Sequence, residues 1–383
     1  MVTTQSADSV LKSYYLGVVA DQLNKEANPL LARIRQTTSD VWGRDVRKAV
    51  RVGVNGGVGA GTEEGALPAA GGNRYAQFVS TLKNLYGTIE ISDKAIRASQ
   101  SNEGAFVNLL NDEMEGLVKS SAYNFGRMLF GDGSGKLATI TAGASGEYTV
   151  DGVAALAEGM VVDVYDGNTS TLAGVTITAV DRANKKITLS SPFTVSSGKS
   201  YGVYMQGSKG LELTGLKAIF NADTLYGVSR ASNPWMKPYT KTDVGAISES
   251  EIQKAIDAVE EVSGSRVNFI VCSWGVRRAL VNALSAYRQT ESLELEGGFR
   301  AVSFNGIPVV ADRFCPAGTM YLLNTDDFAL HQLCDWQWLE GEDGKILKQI
   351  AGKPVYTATL VKYAELMCYR PCGQAALTGI TEN

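Results

Sequence analysis

"LYGTIEISDKAIRASQ", Leu85 to Gln100, runs into "EGAFVNLLNDEMEGLVKSSAYNFGRMLF", Glu103 to Phe130, which stops abruptly at "GDGSG", Gly131 to Gly135. Within the longer segment Phe106, Leu110, Met114, Leu117, Phe125 and Met128 recur at three- and four-residue steps, and Leu109, Val118 and Leu129 widen the stripe. That period belongs to one amphipathic helix. At 1.5 Å per residue it would be roughly 40 Å long, which is long for a compact enzyme and natural for the spine of an extended building block. A structural part is the first expectation.

Upstream lies a glycine-rich excursion, "RVGVNGGVGAGTEEGALPAAGGNRYAQF", Arg51 to Phe78. Its flanks, Arg47 to Val54 and Tyr75 to Leu85, hold enough Val, Phe, Tyr and Leu for two arms of a hairpin, while the Gly-Ala-Pro middle cannot form a core. A long loop therefore projects from two strands. The order of polar N-terminal arm, extended loop, spine helix and α/β region resembles the major capsid proteins of tailed bacteriophages, which have the Hong Kong 97 phage fold. The matching stretches are "GTIEISDKAIRAS" (Gly87 to Ser99), the helix beginning near Asn102, "LFGDGSG" (Leu129 to Gly135), "LTGLKAIFN" (Leu213 to Asn221) and "FNGIPVVADRFCPAGTMYLLNTDDFAL" (Phe304 to Leu330).

The resemblance implies an α+β chain divided into an N-terminal arm (1–50), an extended loop (51–87), a peripheral domain with the spine helix (88–136 and about 326–383) and an axial domain (207–325). Residues 137–206 depart from the basic pattern. Short β-branched runs, Val161 to Tyr165, Val175 to Val180, Ile187 to Leu189 and Tyr201 to Met205, alternate with the turn signals Asp166-Gly167-Asn168, Arg182-Ala183-Asn184 and Ser196-Ser197-Gly198. Closely spaced strands without helices predict a small all-β sandwich or barrel. An insertion domain accounts for the long separation between Gly131-Asp132-Gly133 and Gly215-Leu216.

The resemblance also implies the function. Copies would assemble as hexamers and pentamers into an icosahedral virion shell in the host cytoplasm, enclosing double-stranded DNA without sequence-specific binding. A portal, a decoration protein and scaffolding would be its partners; the family-like arm begins within some tens of residues of Met1, so scaffolding is expected as a separate protein or a removed segment. No enzymatic step, cofactor or metal is required. The assembly-interface candidates are Arg51, Glu63, Glu64, Arg74, Tyr75 and Phe78 on the loop, with Trp336 and Trp338. The two tryptophans share one face of a strand, where core packing is the ordinary reading and an interface anchor the alternative. An encapsulin-like nanocompartment shell would share the fold, although the β insertion argues against it. A hydrolase or transferase with an α/β core is the enzyme alternative.

Composition agrees with a globular shell part. Hydrophobic residues are 44% and charged residues 20% of 383, so wholesale disorder is excluded. A net charge of -4 lacks the basic footprint of a protein that grips phosphates. No basic segment followed by an apolar run opens the chain, and no stretch is apolar for long enough to span a bilayer. Cys272, Cys315, Cys334, Cys368 and Cys372 are odd in number and scattered, which predicts reduced thiols.

The N-terminal arm predicts a helix over Ser6 to Ile34, interrupted at Asn28-Pro29. Ser248 and Glu251 form a capping box for a helix ending at Gly264, "RVNFIVCS" (Arg266 to Ser273) is a buried strand, Trp274 to Arg288 a second helix and Gly306 to Asp312 a second strand, with a loop over Gln289 to Ala301. From Phe328 on, alternation around the Gly341 to Gly344 turn predicts a long hairpin packed beside the spine helix.

Signatures of chemistry fail on inspection. "GDGSGK", Gly131 to Lys136, is no phosphate loop, because Phe130 stands where its first glycine belongs and Leu137 follows the lysine. "GGVGAGT", Gly56 to Thr62, lacks the third glycine of a dinucleotide fingerprint. His331 is the only histidine and lies in a strand-like run, which excludes a multi-histidine metal site. Asp163 to Asn168 reads as a hairpin turn rather than a calcium loop. Glu63-Glu64, Glu260-Glu261 and Asp326-Asp327 read as solvated charges.

Overall fold

The computed structural model describes residues 28–94, 103–196, 198–285, 292–294, 300–341 and 344–382, and only the backbone of 103–112, 285, 292–294, 300 and 301. The predicted N-terminal helix lies outside the described residues up to position 27. Its last turn is a separate element, α1 (Pro29–Arg33), preceded by Asn28 in extended backbone. Proline suits that place, since its fixed φ is already helical and its missing N–H would have no partner in a first turn.

Strand β1 (Arg35–Thr37) is followed by β2 (Val41–Trp42), β3 (Asp45–Val52) and β4 (Arg74–Thr81), the last three forming one small sheet. β3 and β4 pair without a slip from Asp45↔Thr81 to Val52↔Arg74. The expected loop boundary at 87 moves back. β5 (Lys83–Ser92) leaves the hairpin, because Leu85, Ile89 and Ile91 alternate into the main core.

Helix α2 occupies Glu103–Phe130, the predicted span. Met114, Val118, Phe125, Met128 and Leu129 are buried in the main core and Leu117 is packed against it, whereas Phe106, Leu109 and Leu110 lie outside the described side chains. Gly87 of β5 permits the close approach of this helix. A Cβ there would stand 2.9 Å from Leu117 and 3.1 Å from Ser121.

Strands β6 (Lys136–Ala144), β7 (Glu147–Val150), β8 (Val161–Asp166), β9 (Thr169–Asp181), β10 (Lys186–Leu189) and β11 (Tyr201–Met205) close into a barrel in the order β10-β7-β6-β11-β8-β9. Its turns are built locally. Gly167 takes φ 58, and the Asp181 carboxylate accepts from the backbone N–H groups of Ala183 and Asn184, both at 3.0 Å. Ile140, Tyr148, Val162, Val164, Ile177 and Val203 fill a core separate from the other two in the molecule. The barrel's two ends are neighbours, since the Gly210 N–H donates to the Ser134 carbonyl at 2.7 Å. A unit with its own core and adjacent ends is removable in principle. Joining Gly135 to Gly207 through a short Gly-Ser linker is therefore expected to give a soluble, cooperatively folded body by circular dichroism and thermal melting; an unfolded product would mean that the barrel completes the main core.

The remaining chain forms α3 (Leu216–Asn221), the short ribbon β12 (Thr224–Leu225) and β13 (Val228–Ser229), β14 (Tyr239–Lys241), α4 (Glu249–Ser263), β15 (Phe269–Cys272), α5 (Trp274–Ser285), β16 (Ser292–Glu294), β17 (Arg300–Phe304), β18 (Ile307–Ala311) and β19 (Met320–Leu323). Then come β20 (Phe328–Trp338), β21 (Lys348–Gln349), β22 (Val355–Cys368) and β23 (Ala375–Leu377). Helix α4 starts as expected: the Ser248 hydroxyl accepts from the Glu251 N–H and Gly264 closes the other end in left-handed backbone. The loop expected over Gln289 to Ala301 is corrected, because β16 pairs antiparallel with β17, from Ser292↔Val302 to Glu294↔Arg300.

Two sheets organise the body. A five-stranded sheet runs β1-β20-β22-β21, with β5 also on β22, and a seven-stranded sheet runs β14-β23-β19-β15-β18-β17-β16. The C-terminal stretch does not stay with the first of these, since β23 pairs with β14 and β19 of the second. β15 shows how the second sheet is covered: Phe269 and Val271 join the main core, whereas Ile270 and Cys272 join a second core with Ile252, Ile256 and Val259 of α4 and Leu280 of α5. A continuous apolar run is what a strand buried on both faces needs.

Tyr226 finishes the five-stranded sheet. Beyond the last β5 pairing, Lys83↔Ala364, the Tyr226 hydroxyl accepts from the Cys368 N–H at 3.1 Å and donates to the Leu366 carbonyl at 3.0 Å. A side chain thus takes the place of the missing strand, and Tyr226 itself sits at φ 50.

Candidate assembly surfaces

The hairpin continues past its paired strands as a narrow finger. A Cβ on Gly57 would lie 2.6 Å from the Gly71 nitrogen, Gly59 faces Pro68 and Gly61 faces Ala66, so the two arms stay in contact outward. Glycine is needed where the backbones approach so closely. The Gly65 N–H donates to the Thr62 carbonyl at 3.1 Å, which places Glu63 and Glu64 at the centre of the terminal turn. At about 3.3 Å per residue, the run from Val52 to Thr62 reaches roughly 30 Å.

Nothing in the described chain covers this finger. Val54 is 93%, Val58 87% and Leu67 90% exposed, and Glu63 and Glu64 are exposed at the tip. On the paired part, Arg47, Ala49 and Arg51 of β3 stand opposite Val79, Gln77 and Tyr75 of β4 and make an outward face. Tyr75 is 66% exposed, and Arg51 and Arg74 have no carboxylate partner among the described residues. Arg47 lies 3.9 Å from Asp45 at the base.

Three of the expected interface candidates belong instead to the subunit's own core. Phe78 is fully buried, stacked on Trp235 at 6.0 Å and tilted against Tyr226 at 5.5 Å. Trp336 packs edge-on to Phe125 of the spine helix at 6.4 Å, and Trp338 is buried beside it in the same core. Each sits on the inward side of its strand, where α2 and the 226–236 segment supply the apolar neighbours.

The spine is fastened by buried charges that were not apparent in the sequence. Arg127, in the last turn of α2, donates through Nη1 to Glu212 Oε2 at 2.9 Å and through Nη2 to the other carboxylate oxygen, with both side chains almost fully buried. Lys362 of β22 donates to Gln332 Oε1 at 2.8 Å and to Asp335, and its ammonium stands 5.2 Å from the centre of the Phe125 ring. Burial pulls the Lys362 pKa down while Asp335 opposes it. Glu365 accepts from the Thr214 N–H at 3.0 Å, and its second oxygen has no partner. Burial pushes its carboxyl up to about 7, against the Thr214 hydrogen bond and the Lys83 charge.

The remaining sequence candidates are structural. His331 is fully buried with Nε2 2.6 Å from the Tyr369 hydroxyl, and burial lowers its pKa. Asp132 of "GDGSGK" is exposed and held locally: its carboxylate accepts from the Ser134 N–H at 3.0 Å and pairs with Lys217 at 2.9 Å. Asp163 accepts from the Gly174 and Gly207 N–H groups, both at 2.8 Å, and so braces the barrel. Asp327 corrects the reading of solvated acids. It is half-buried, accepts from Ser265 and Gln374 at 3.1 Å each, and has its pKa raised by burial. The five cysteines are free thiols. Among the described residues there is no metal-ligating cluster, and no helix is long and apolar enough to cross a membrane.

No protein-family model matches the chain, and no curated protein matches it in sequence. Solved structures do match. The cyanophage A-1(L) capsid asymmetric unit is 12% identical with a TM-score of 0.59, covering 92% of this chain and 93% of that one. The capsid of the native GTA particle, 12% identical with a TM-score of 0.47, covers 92% of this chain and 90% of that one. The holo-SrpI encapsulin complex from Synechococcus elongatus PCC 7942, 11% identical with a TM-score of 0.47, covers 95% of each. At these identities the likeness speaks for the fold, and the cyanophage structure carries it. With finger, spine helix and two sheets following one another as they do, the chain has the Hong Kong 97 phage-type fold of tailed-phage capsid proteins, with a six-stranded barrel inserted.

Proposed function

We propose that the chain is a major capsid protein whose copies gather as hexamers and pentamers into an icosahedral shell enclosing double-stranded phage DNA. The finger is the observation that carries this reading. It bears apolar side chains that are about nine-tenths exposed, has no core of its own and is held in shape by glycine contacts, so its partner surface belongs to another copy. The capsid fold agrees with it. A net charge of -4 suits a wall that encloses DNA without gripping it. In this reading the seven-stranded sheet and its helices gather at the capsomer centre, and the spine helix runs along a capsomer edge. The barrel stands on the outer face, where a decoration protein would dock; scaffolding and portal are separate partners.

Electron microscopy of the purified protein is expected to show closed shells. Deleting Gly57 to Gly71 is expected to leave the subunit's melting temperature within a few degrees of the parent while abolishing shells. Normal shells from that variant would refute the role given to the finger, and the absence of any shell from the intact protein would refute the function.

A further inference from the structure

The finger carries charges of opposite sign in two separate places. Between positions 53 and 73 the only charged residues are Glu63 and Glu64, both at the tip. The outward face of the ribbon behind them holds Arg47 and Arg51 beside Tyr75; Asp45, 3.9 Å from Arg47 at the base, is the acid of that face, and Arg51 has no carboxylate partner among the described residues. The tip cannot fold back on its own ribbon, because the two arms remain in contact from Gly57 and Gly71 out to the Thr62–Gly65 turn.

We propose that the Glu63-Glu64 tip of one copy docks on the Arg47, Arg51 and Tyr75 face of a second copy's ribbon. The proposal rests on the shell reading and names the contact that reading leaves open. Arginine suits the task, since its planar fork donates two parallel hydrogen bonds to a carboxylate in a fixed orientation, and the tyrosine ring supplies an apolar floor next to it. Exposed ion pairs are individually weak. The same finger brings Val54, Val58 and Leu67 along, so that docking also covers apolar surface now in water. Tip and ribbon are different surfaces of one chain. A contact between them is head-to-tail, and repeated around a symmetry axis it closes a ring rather than a pair.

Covalent trapping tests the contact. Arg51→Lys keeps the charge and adds an amine that a carbodiimide joins to a carboxylate touching it. Treated at the concentration at which the protein assembles, this variant is expected to give a ladder of covalent oligomers on a denaturing gel. Mass spectrometry is expected to find the tip peptide joined to residue 51. Adding E63Q and E64Q to the same chain should reduce the ladder at least tenfold. A ladder that survives E63Q/E64Q, a tip joined only to lysines elsewhere, or no link involving the tip would overturn the proposal. Shells by microscopy without the tip-to-ribbon link would leave the shell reading standing and remove this contact; the link without shells would do the reverse.

Discussion

Arg127→Ala is expected to cost roughly 3–5 kcal/mol, because it leaves Glu212 buried without its counter-charge. Set against a typical margin of about 5–15 kcal/mol, that is a large part of the whole. The damage has a definite place. Glu212 lies on the segment returning from the barrel, so the lost pair unfastens that segment from the end of the spine helix, where Asn124 also accepts from Arg127 at 3.1 Å. The urea midpoint should fall with an unchanged slope. Replacing both partners, as in Arg127→Met with Glu212→Met, should restore most of the loss, since paired charges exchanged for apolar groups of like size are often neutral. A single variant within about 1 kcal/mol of the parent would show that the pair is not needed for stability.

Glu365→Gln should raise stability at pH 8 and leave it nearly unchanged at pH 4.5. Burial holds the Glu365 carboxyl near 7, against an ordinary value of 4.5. Between those limits the folded chain keeps a proton that the unfolded chain releases, so stability falls as pH rises through this window and the full penalty is present above it. Its size is roughly 3 kcal/mol. Glutamine keeps an oxygen for the Thr214 N–H and carries no charge to bury. Lys83 and His331, which stands opposite Glu365 in the β20–β22 register, are the neighbouring titratable groups, and neither changes in the variant. Parallel urea melts at the two pH values would check it, and equal shifts at both would sink the assignment.

Much of the fold was legible because its signals are local. Helix α2 shows its period and its glycine stop, α4 its serine cap and terminal glycine, and the barrel its β-branched runs between turns. What stayed hidden depends on distant parts of the chain. Alternation tells that Trp336 and Trp338 share a face of β20 but not that this face meets Phe125. Phe78 looked like the neighbour of an exposed loop, whereas Tyr226 and Trp235 bury it from far along the chain. Arg127 and Glu212 are separated by the entire barrel, so no spacing rule joins them. Lys362 and Glu365 sit in a strand whose other polar residues are common at sheet surfaces, and only the packing shows that they are buried.

The seven-stranded sheet has a separate core on each face, with Phe269 and Val271 turned to one and Ile270 and Cys272 to the other. Such a sheet has no free side along which to slip, and any tilt would disturb two close-packed interiors at once. The body therefore behaves as one stiff tile. A closed shell made of identical tiles must still join them at unequal angles, so the bending has to occur where neither core reaches. In the proposed shell that place is the finger, which has no core of its own and acts as a gasket between rigid plates.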